Sequence, residues 1–200
     1  EVWNGVLRTF QGDPREEVLR TLKTLKPTHP GKLTAEAWLE YRQLFYLNYD
    51  RVKTDVREEE ARDWVWKQIP PNLQYRIRKE EGRRNMRNPT LRLTGVDRLP
   101  EEEVRGLLHK VLRNETATIN RETNGSYTIR VNGESTADEL MRHNGSTLRR
   151  ADGTNAPAGQ RPVFTIIDTK MSLRDTMDLV YRELRYEEDR SRRAQRDDWS

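Results

Sequence analysis

Cysteine is absent from all 200 residues of this chain. The absence excludes disulfide bonds, thiolate zinc sites and a cysteine nucleophile. It fits a reducing compartment, and we expect the protein to be cytoplasmic. The three histidines, His29, His109 and His143, lie far apart and lack the spacing of metal ligands. We therefore expect neither a metal nor another cofactor.

Long hydrophobic runs are also absent, since no apolar stretch approaches the roughly 18 residues that a membrane span needs. The first residues, Glu1-Val2-Trp3-Asn4, do not resemble a signal peptide. Hydrophobic residues make up only 33% of the chain and charged residues 35%, which predicts a small or divided core. Five Trp and seven Tyr argue against disorder, so the composition indicates a soluble, folded chain.

Recognisable catalytic motifs are missing as well. The chain has no P-loop, no dinucleotide-binding fingerprint and no Gly-x-Ser-x-Gly. Asp168-Thr169-Lys170 is similar to the Asp-Thr-Gly of retroviral aspartic proteases, but Lys170 replaces the glycine that the catalytic turn needs. That reaction also requires two carboxylates, and a second copy is absent unless a dimer supplies it. We expect a binding or assembly module rather than an enzyme.

The first 85 residues are predicted to form an all-helical domain. Residues 1–26 are interpreted as helical, with one helix beginning at Asp13-Pro14. Thr34 is a suitable cap for a second helix. The aromatic stripe of this helix is expected to form core, and it consists of Trp38, Tyr41, Phe45 and Tyr49.

Two further helices are predicted before residue 85. Thr54 or Asp55 is expected to begin the third, with Glu58 completing a capping box after Asp55. Pro70-Pro71 ends the third helix, and the fourth is expected to end at Gly82, because glycine commonly terminates helices. Trp38, Phe45 and Trp64 are expected to hold the helical core.

Residues 86–170 show the order strand, helix, strand, strand, helix, strand. The four strands are predicted at 90–96, 117–121, 126–131 and 163–167, and the two helices at 100–113 and 136–143. Thr123-Asn124-Gly125 between the second and third strands is a strong hairpin signal. Ser135 or Thr136 is expected to cap the second helix. A last segment, 171–200, is predicted to be a charged helix capped by Ser172.

The densest basic stretch runs from Arg76 to Arg92 and holds seven bases against Glu80 and Glu81. The net charge is only +4, so a nucleic-acid partner is plausible on charge and not required. A solvated helix and linker is the alternative interpretation. The candidate phosphate-binding residues are Arg76, Arg78, Lys79, Arg83, Arg84, Arg87 and Arg92, together with Arg130 on the third strand.

Three phrases in the helical part resemble the capsid region of retroelement Gag proteins. They are Phe10-Gln-Gly-Asp-Pro14, Trp38-Leu-Glu-Tyr-Arg-Gln-Leu-Phe45, and Ala61–Trp66 followed by Ile69-Pro-Pro-Asn-Leu73 and Ile77. The resemblance implies a viral or retrotransposon structural protein that oligomerises and packages RNA. A leucine-rich run replaces one aromatic of the capsid signature, and no Cys-His zinc knuckle follows. RNA binding would then depend on the stretch Arg76–Arg92.

The second part resembles an RNA-recognition motif over about 80 residues, mainly through its order of elements. Domains of that family stack bases on aromatic residues of the two central strands. Here those positions fall on Arg92 and near Ser126 and Thr128, whereas Tyr127 is expected on the opposite face. The resemblance therefore implies a degenerate domain that contacts phosphates or protein as readily as bases.

Together these patterns predict an α+β chain: a helical domain at 1–85, a ferredoxin-like, RNA-recognition-like domain at 86–170, and a C-terminal charged helix at 171–200. The leading hypothesis is a non-enzymatic, Gag-like structural protein that self-associates and binds RNA through its basic stretch. The alternative is an RNA-binding or protein-adaptor module of a cellular ribonucleoprotein. The partners expected are RNA and further copies of the chain, with no membrane span and no small-molecule substrate.

Overall fold

The structure is a computed structural model that describes residues 13–28, 31–113, 115–150 and 152–199. These residues form seven helices and one four-stranded antiparallel sheet, which confirms the mixed α+β class. The helix predicted over residues 1–12, and the Phe10-Gln-Gly12 part of the Gag-like phrase, lie outside the described residues. Within the described residues, none of the helices combines the length and hydrophobicity that crossing a bilayer requires.

The chain divides into two compact units that differ from the three segments 1–85, 86–170 and 171–200. The first unit comprises the chain up to Arg78 together with Met171 onwards, and the second unit comprises Lys79–Lys170. The C-terminal helix belongs to the first unit because its apolar face, including Met177, Val180 and Leu184, is buried in that unit's core. The regularly spaced apolar residues of this helix therefore pack within the first unit.

The first unit consists of α1 (Pro14–Thr24), α2 (Ala35–Val52), α3 (Glu58–Trp66), the beginning of α4 (Pro71–Arg87), and α7 (Leu173–Asp197). Three predicted helix starts are confirmed. Asp13 accepts a hydrogen bond from the Arg15 backbone N–H at 3.0 Å, and Thr34 accepts one from Ala37 at 3.1 Å. Ser172 accepts one from Asp175 at 3.1 Å.

The aromatic stripe of α2 forms the centre of the first core, as predicted. Trp38, Tyr41 and Phe45 are fully buried, while Tyr49 and Trp64 are partly buried and pack against them. Phe45 stacks on Tyr49 with ring centroids 5.9 Å apart. Helical spacing aims these large side chains inward, and α2 is the principal core helix of the unit.

Two predicted helix boundaries in this region are wrong. α3 begins at Glu58, since Asp55 forms an ion pair with Arg15 and the Val56 N–H turns back to the Val52 carbonyl. α4 does not end at Gly82 and continues to Arg87. Gly82 is not among the positive-φ glycines, so it does not adopt the left-handed conformation of a terminating glycine.

The second unit contains β1 (Thr90–Thr94), α5 (Glu101–Leu112), β2 (Ala117–Arg121), β3 (Tyr127–Val131), α6 (Glu134–Met141) and β4 (Val163–Ile167). The order across the sheet is β2-β3-β1-β4, and every neighbouring pair is antiparallel. β3 therefore lies between the two strands that α5 connects. The predicted hairpin is confirmed by the β2–β3 pairing, with Gly125 at φ +84°.

The two helices of this unit pack on one face of the sheet. Leu91, Leu93 and Ile129 point into the core that Val104 and Leu108 of α5 and Leu140 of α6 complete. The sheet face opposite the two helices therefore carries the polar strand residues.

The predicted cap of α6 is wrong. Gly133 occupies the cap position, and the Thr136 hydroxyl donates to the Asn132 carbonyl at 3.4 Å.

Candidate nucleic-acid interface

The basic stretch lies mostly on the C-terminal half of α4, where Gly82 continues the helix. Lys79, Arg83 and Arg87 are spaced four residues apart, so they share one helix face with a drift of only about 40° per step. All three are exposed. We call these three residues the α4 stripe.

Arg76 and Arg78, which precede the stripe, are engaged within the first unit. One guanidinium nitrogen of Arg76 lies 2.9 Å from Glu183 and 3.0 Å from Glu187 of α7. The Arg78 guanidinium lies 5.3 Å from the ring centroid of Trp66, within the range of a cation–π contact. These two arginines, although predicted to bind phosphate, therefore have structural partners.

Arg83 and Arg84 share one acidic neighbour, Glu80. The ion-pair distances are 3.4 Å for Arg83 and 3.5 Å for Arg84. The Arg83 side chain keeps 62% of its surface exposed, whereas Arg84 is partly buried. A surface ion pair of this kind contributes at most about 1 kcal/mol, so it leaves Arg83 able to exchange Glu80 for a phosphate.

The C-terminal end of α4 is held on the sheet of the second unit by specific hydrogen bonds. The Asn85 amide accepts from the Thr169 hydroxyl at 2.7 Å and donates to the Thr169 carbonyl at 3.1 Å. The Arg87 carbonyl accepts from the Gly133 N–H at 3.0 Å. Thr169 follows β4 and Gly133 follows β3, so these bonds place the end of the α4 stripe beside the sheet.

The open face of the sheet carries two more of the predicted arginines. Arg92 lies opposite Thr128 on β3, and Arg130 lies opposite Thr90 on β1, so the two arginines are diagonal neighbours roughly 7–8 Å apart. Both are exposed. By register, the remaining strand residues of this open sheet face are Thr90, Thr94, Thr118, Asn120, Thr128, Val163, Thr165 and Ile167.

Four of these cations have no acidic partner in the described part of the chain. Among the described residues, no carboxylate lies within 4.0 Å of the charged nitrogens of Lys79, Arg87, Arg92 or Arg130. Their charges are available to an anion from solution. Glu122, which the sequence did not single out, accepts from the Thr128 hydroxyl at 2.8 Å and places one acid at the edge of the open sheet face.

Aromatic residues are missing from the described strand positions of the open sheet face, as the alternation predicted. Tyr127 is 1% exposed and belongs to the core beneath the sheet. Base stacking contributes about 1–3 kcal/mol per base in single-strand-binding domains. The face instead presents guanidinium, hydroxyl and amide groups, which suit phosphate and ribose oxygens.

An apolar groove of about 340 Å³ lies elsewhere in the second unit, beside α5. Its walls include Leu93, Val104, Leu107 and Phe164, and Lys110 and His143 contribute to its lining. Sequence reasoning did not identify it because the segment after α6 was interpreted only as a loop. Ser146 also lines the groove, and its hydroxyl donates to the backbone carbonyl of His143 at 2.8 Å.

The described part of the chain includes the protease-like segment Asp168-Thr169-Lys170 and two of the three histidines, His109 and His143. No group of three or more His, Asp or Glu residues there is arranged to hold a metal ion. Asp168 is exposed directly after β4, and its neighbour Thr169 is occupied by Asn85.

Comparisons of the chain with protein-family models, with curated proteins and with solved structures found no match.

Proposed function

We propose that this chain is a non-enzymatic, Gag-like structural protein of the cytoplasm that binds RNA through its second unit and self-associates through its first. The observation that carries the proposal is the placement of five exposed cations on the α4 stripe and the open sheet face. They are Lys79, Arg83, Arg87, Arg92 and Arg130. Arg76, Arg78 and Arg84 act as structural residues, because each has a partner in its own unit.

Phosphate neutralisation is the physical basis of the proposed binding. Each cation that replaces a condensed counterion on a nucleic acid gains the entropy of the released ion. Arginine also offers two parallel N–H groups to a phosphate, and four of the five residues are arginines. Because the described strand positions of the open sheet face offer hydroxyl and amide groups and no aromatic ring, we expect binding with weak sequence preference.

We further propose that the second unit is a ferredoxin-like domain of the RNA-recognition type. The support is its order of elements, with α5 joining β1 to β2 and α6 joining β3 to β4. The insertion of β3 between β1 and β2 also agrees with a split βαβ unit. In such an arrangement the sheet face without helices is the natural binding surface.

The proposal is tested by measuring binding of a 20-nucleotide single-stranded RNA by fluorescence anisotropy. The five cations are changed together to glutamine, and we expect affinity to fall at least about 100-fold, since five phosphate contacts are lost. The control variant replaces five exposed arginines of the α7 tail, Arg185, Arg190, Arg192, Arg193 and Arg196, with glutamine. An equal loss in both variants would mean that only net charge matters, and the proposed site would be wrong.

A second candidate function is that of a protein adaptor. The observation that favours it is the apolar groove beside α5, together with the lack of aromatics on the described strand positions of the open sheet face. An NMR titration with RNA distinguishes the two. Shifts at the backbone amides of Arg92, Thr128 and Arg130 and along the α4 stripe support RNA binding. If an excess of RNA causes no chemical-shift changes at these amides, the adaptor function is favoured.

A further inference from the structure

The exposed face of α2 carries an apolar pair that the core does not use. Leu44 is 49% exposed and Leu47 is 67% exposed, although the opposite face of the same helix holds Trp38 and Phe45 at 0% exposure. Removing the exposed apolar surface of these two side chains from water is favourable. A helix that is well packed on one side therefore presents a second, smaller apolar surface on the other.

Charged residues extend this pair into a regular seam. Glu40 and Arg51 are exposed, and with the leucines they give the spacing 40, 44, 47, 51. Steps of four, three and four residues are those of a coiled-coil seam, which places all four side chains on one narrow stripe. We call Glu40, Leu44, Leu47 and Arg51 the α2 seam. Among the described residues, neither Glu40 nor Arg51 has an ion-pair partner.

The α2 seam is complementary to itself in one orientation. In an antiparallel pair of α2 helices related by a two-fold axis between residues 45 and 46, Leu44 of one copy meets Leu47 of the other. Glu40 then meets Arg51 at both ends. A parallel pair would instead bring Glu40 to Glu40 and Arg51 to Arg51, which is repulsive. A closed two-fold contact with matched charges is the commonest way in which identical chains associate.

We propose that the α2 seam is the surface through which two copies of this chain associate, in antiparallel orientation. The proposal deepens the self-association proposed above and rests on it. A single pair of helices covers less than the roughly 1,200 Å² that specific, stable complexes bury. The dimer is therefore weak in isolation and is strengthened when RNA holds several copies close together.

The test is sedimentation velocity of the full chain over a range of concentrations, with and without a long single-stranded RNA. Two single-charge variants, Glu40→Arg and Arg51→Glu, each place like charges at both ends of the antiparallel pair. We expect each alone to weaken dimerisation at least about 10-fold. An equimolar mixture of the two should restore it, because one variant then carries two arginines on its seam and the other carries two glutamates, so that opposite charges meet at both ends. Both substitutions are at exposed positions and leave the core unchanged.

The possible results distinguish failure of the α2 seam from failure of self-association itself. Leu47→Gln should also weaken the dimer, and Leu39→Gln, at a partly buried position on the flank of the same helix, is the control. If the wild-type chain associates and the mixture of charge variants shows no recovery, the antiparallel seam is wrong while self-association stands. If the wild-type chain is a monomer at high concentration both with and without RNA, the seam and the proposed self-association both fail.

Discussion

The indole Nε1 of Trp38 donates a hydrogen bond of 3.1 Å to the backbone carbonyl of Met177, a residue 139 positions later in the chain. The bond joins α2 to α7 in the interior of the first unit, where Trp38 and Met177 are both 0% exposed. A buried indole N–H without an acceptor would be costly, so this bond favours the position of α7 in which the Met177 carbonyl meets the Trp38 indole. The C-terminal helix is thus part of the helical core.

Trp38→Phe should lower the free energy of unfolding of the first unit by about 2–3 kcal/mol, because it removes the hydrogen bond and leaves a cavity. Guanidinium unfolding followed by tryptophan fluorescence measures this unit selectively, since every tryptophan among the described residues belongs to it. Trp199→Phe is the control, because Trp199 is 91% exposed and its loss should change stability by less than about 0.5 kcal/mol. If Trp38→Phe and Trp199→Phe changed the free energy of unfolding equally, the packing of Trp38 against α7 would be contradicted.

Tyr41 makes the stability of the same unit sensitive to alkaline pH. Its hydroxyl is buried and has no hydrogen-bond partner in the described structure, and burial raises the pKa of Tyr41 well above its ordinary value of 10.0. The folded state therefore keeps the proton that the unfolded state releases. The contribution of the protonated Tyr41 hydroxyl to the free energy of unfolding is therefore complete below pH 10, and it is lost as the pH rises above 10.

Tyr41→Phe should remove part of this alkaline loss and leave neutral stability equal or higher by about 1 kcal/mol, since an unsatisfied hydroxyl disappears. Thermal unfolding between pH 8 and pH 11 measures both effects. A smaller dependence should persist, because burial also raises the pKa of Tyr46 and Tyr49. Tyr186→Phe, at a 63% exposed position, should leave the pH profile unchanged. Identical profiles for Tyr41→Phe and wild type would refute the assignment.

Gly82 and Gly95 should respond in opposite ways to alanine. Gly82→Ala should stabilise the chain by about 0.5–1 kcal/mol, because Gly82 lies within α4 and a Cβ there has open space. Gly95→Ala should destabilise the second unit by at least about 2 kcal/mol, since Gly95 has a φ of +80° and its Cβ would overlap the Arg161 carbonyl. Circular dichroism on thermal unfolding measures both. Destabilisation by Gly82→Ala would instead favour a helix that ends there.

Asn85 should be needed to hold the α4 stripe against the sheet of the second unit. Asn85→Ala removes the amide that bonds the hydroxyl and the carbonyl of Thr169, and we expect a loss of about 1–3 kcal/mol. Amide hydrogen exchange should show faster exchange over residues 83–88 in this variant. Asn120→Ala, at an exposed strand position, is the control and should leave exchange in α4 unchanged.

The sequence was informative where one local rule decided the structure. The alternation of β1 and β3 correctly placed Arg92, Thr128 and Arg130 on one face and Tyr127 on the other. Side-chain oxygens at Asp13, Thr34 and Ser172 correctly marked helix starts, because an unpaired backbone N–H at each start needs an acceptor.

The predicted helix boundaries were wrong where the local sequence did not decide the structure. Asp55 is a good cap by type, but its carboxylate is occupied by Arg15 of another helix. Gly82 is a common helix terminator, yet here it does not adopt a positive φ and the helix continues through it to Arg87. The engagement of Arg76 by Glu183 and Glu187 depends on residues more than 100 positions away, which local patterns do not reveal.

The salt dependence of RNA affinity tests phosphate binding by the α4 stripe and the open sheet face most directly. On single strands each neutralised phosphate contributes about 0.7 to the slope of log K against log salt concentration. We expect the five-glutamine variant at Lys79, Arg83, Arg87, Arg92 and Arg130 to reduce the magnitude of the wild-type slope by up to about 3.5, and the α7-tail control to keep it. A wild-type slope retained by the five-glutamine variant, or lost equally by the control, would contradict this site.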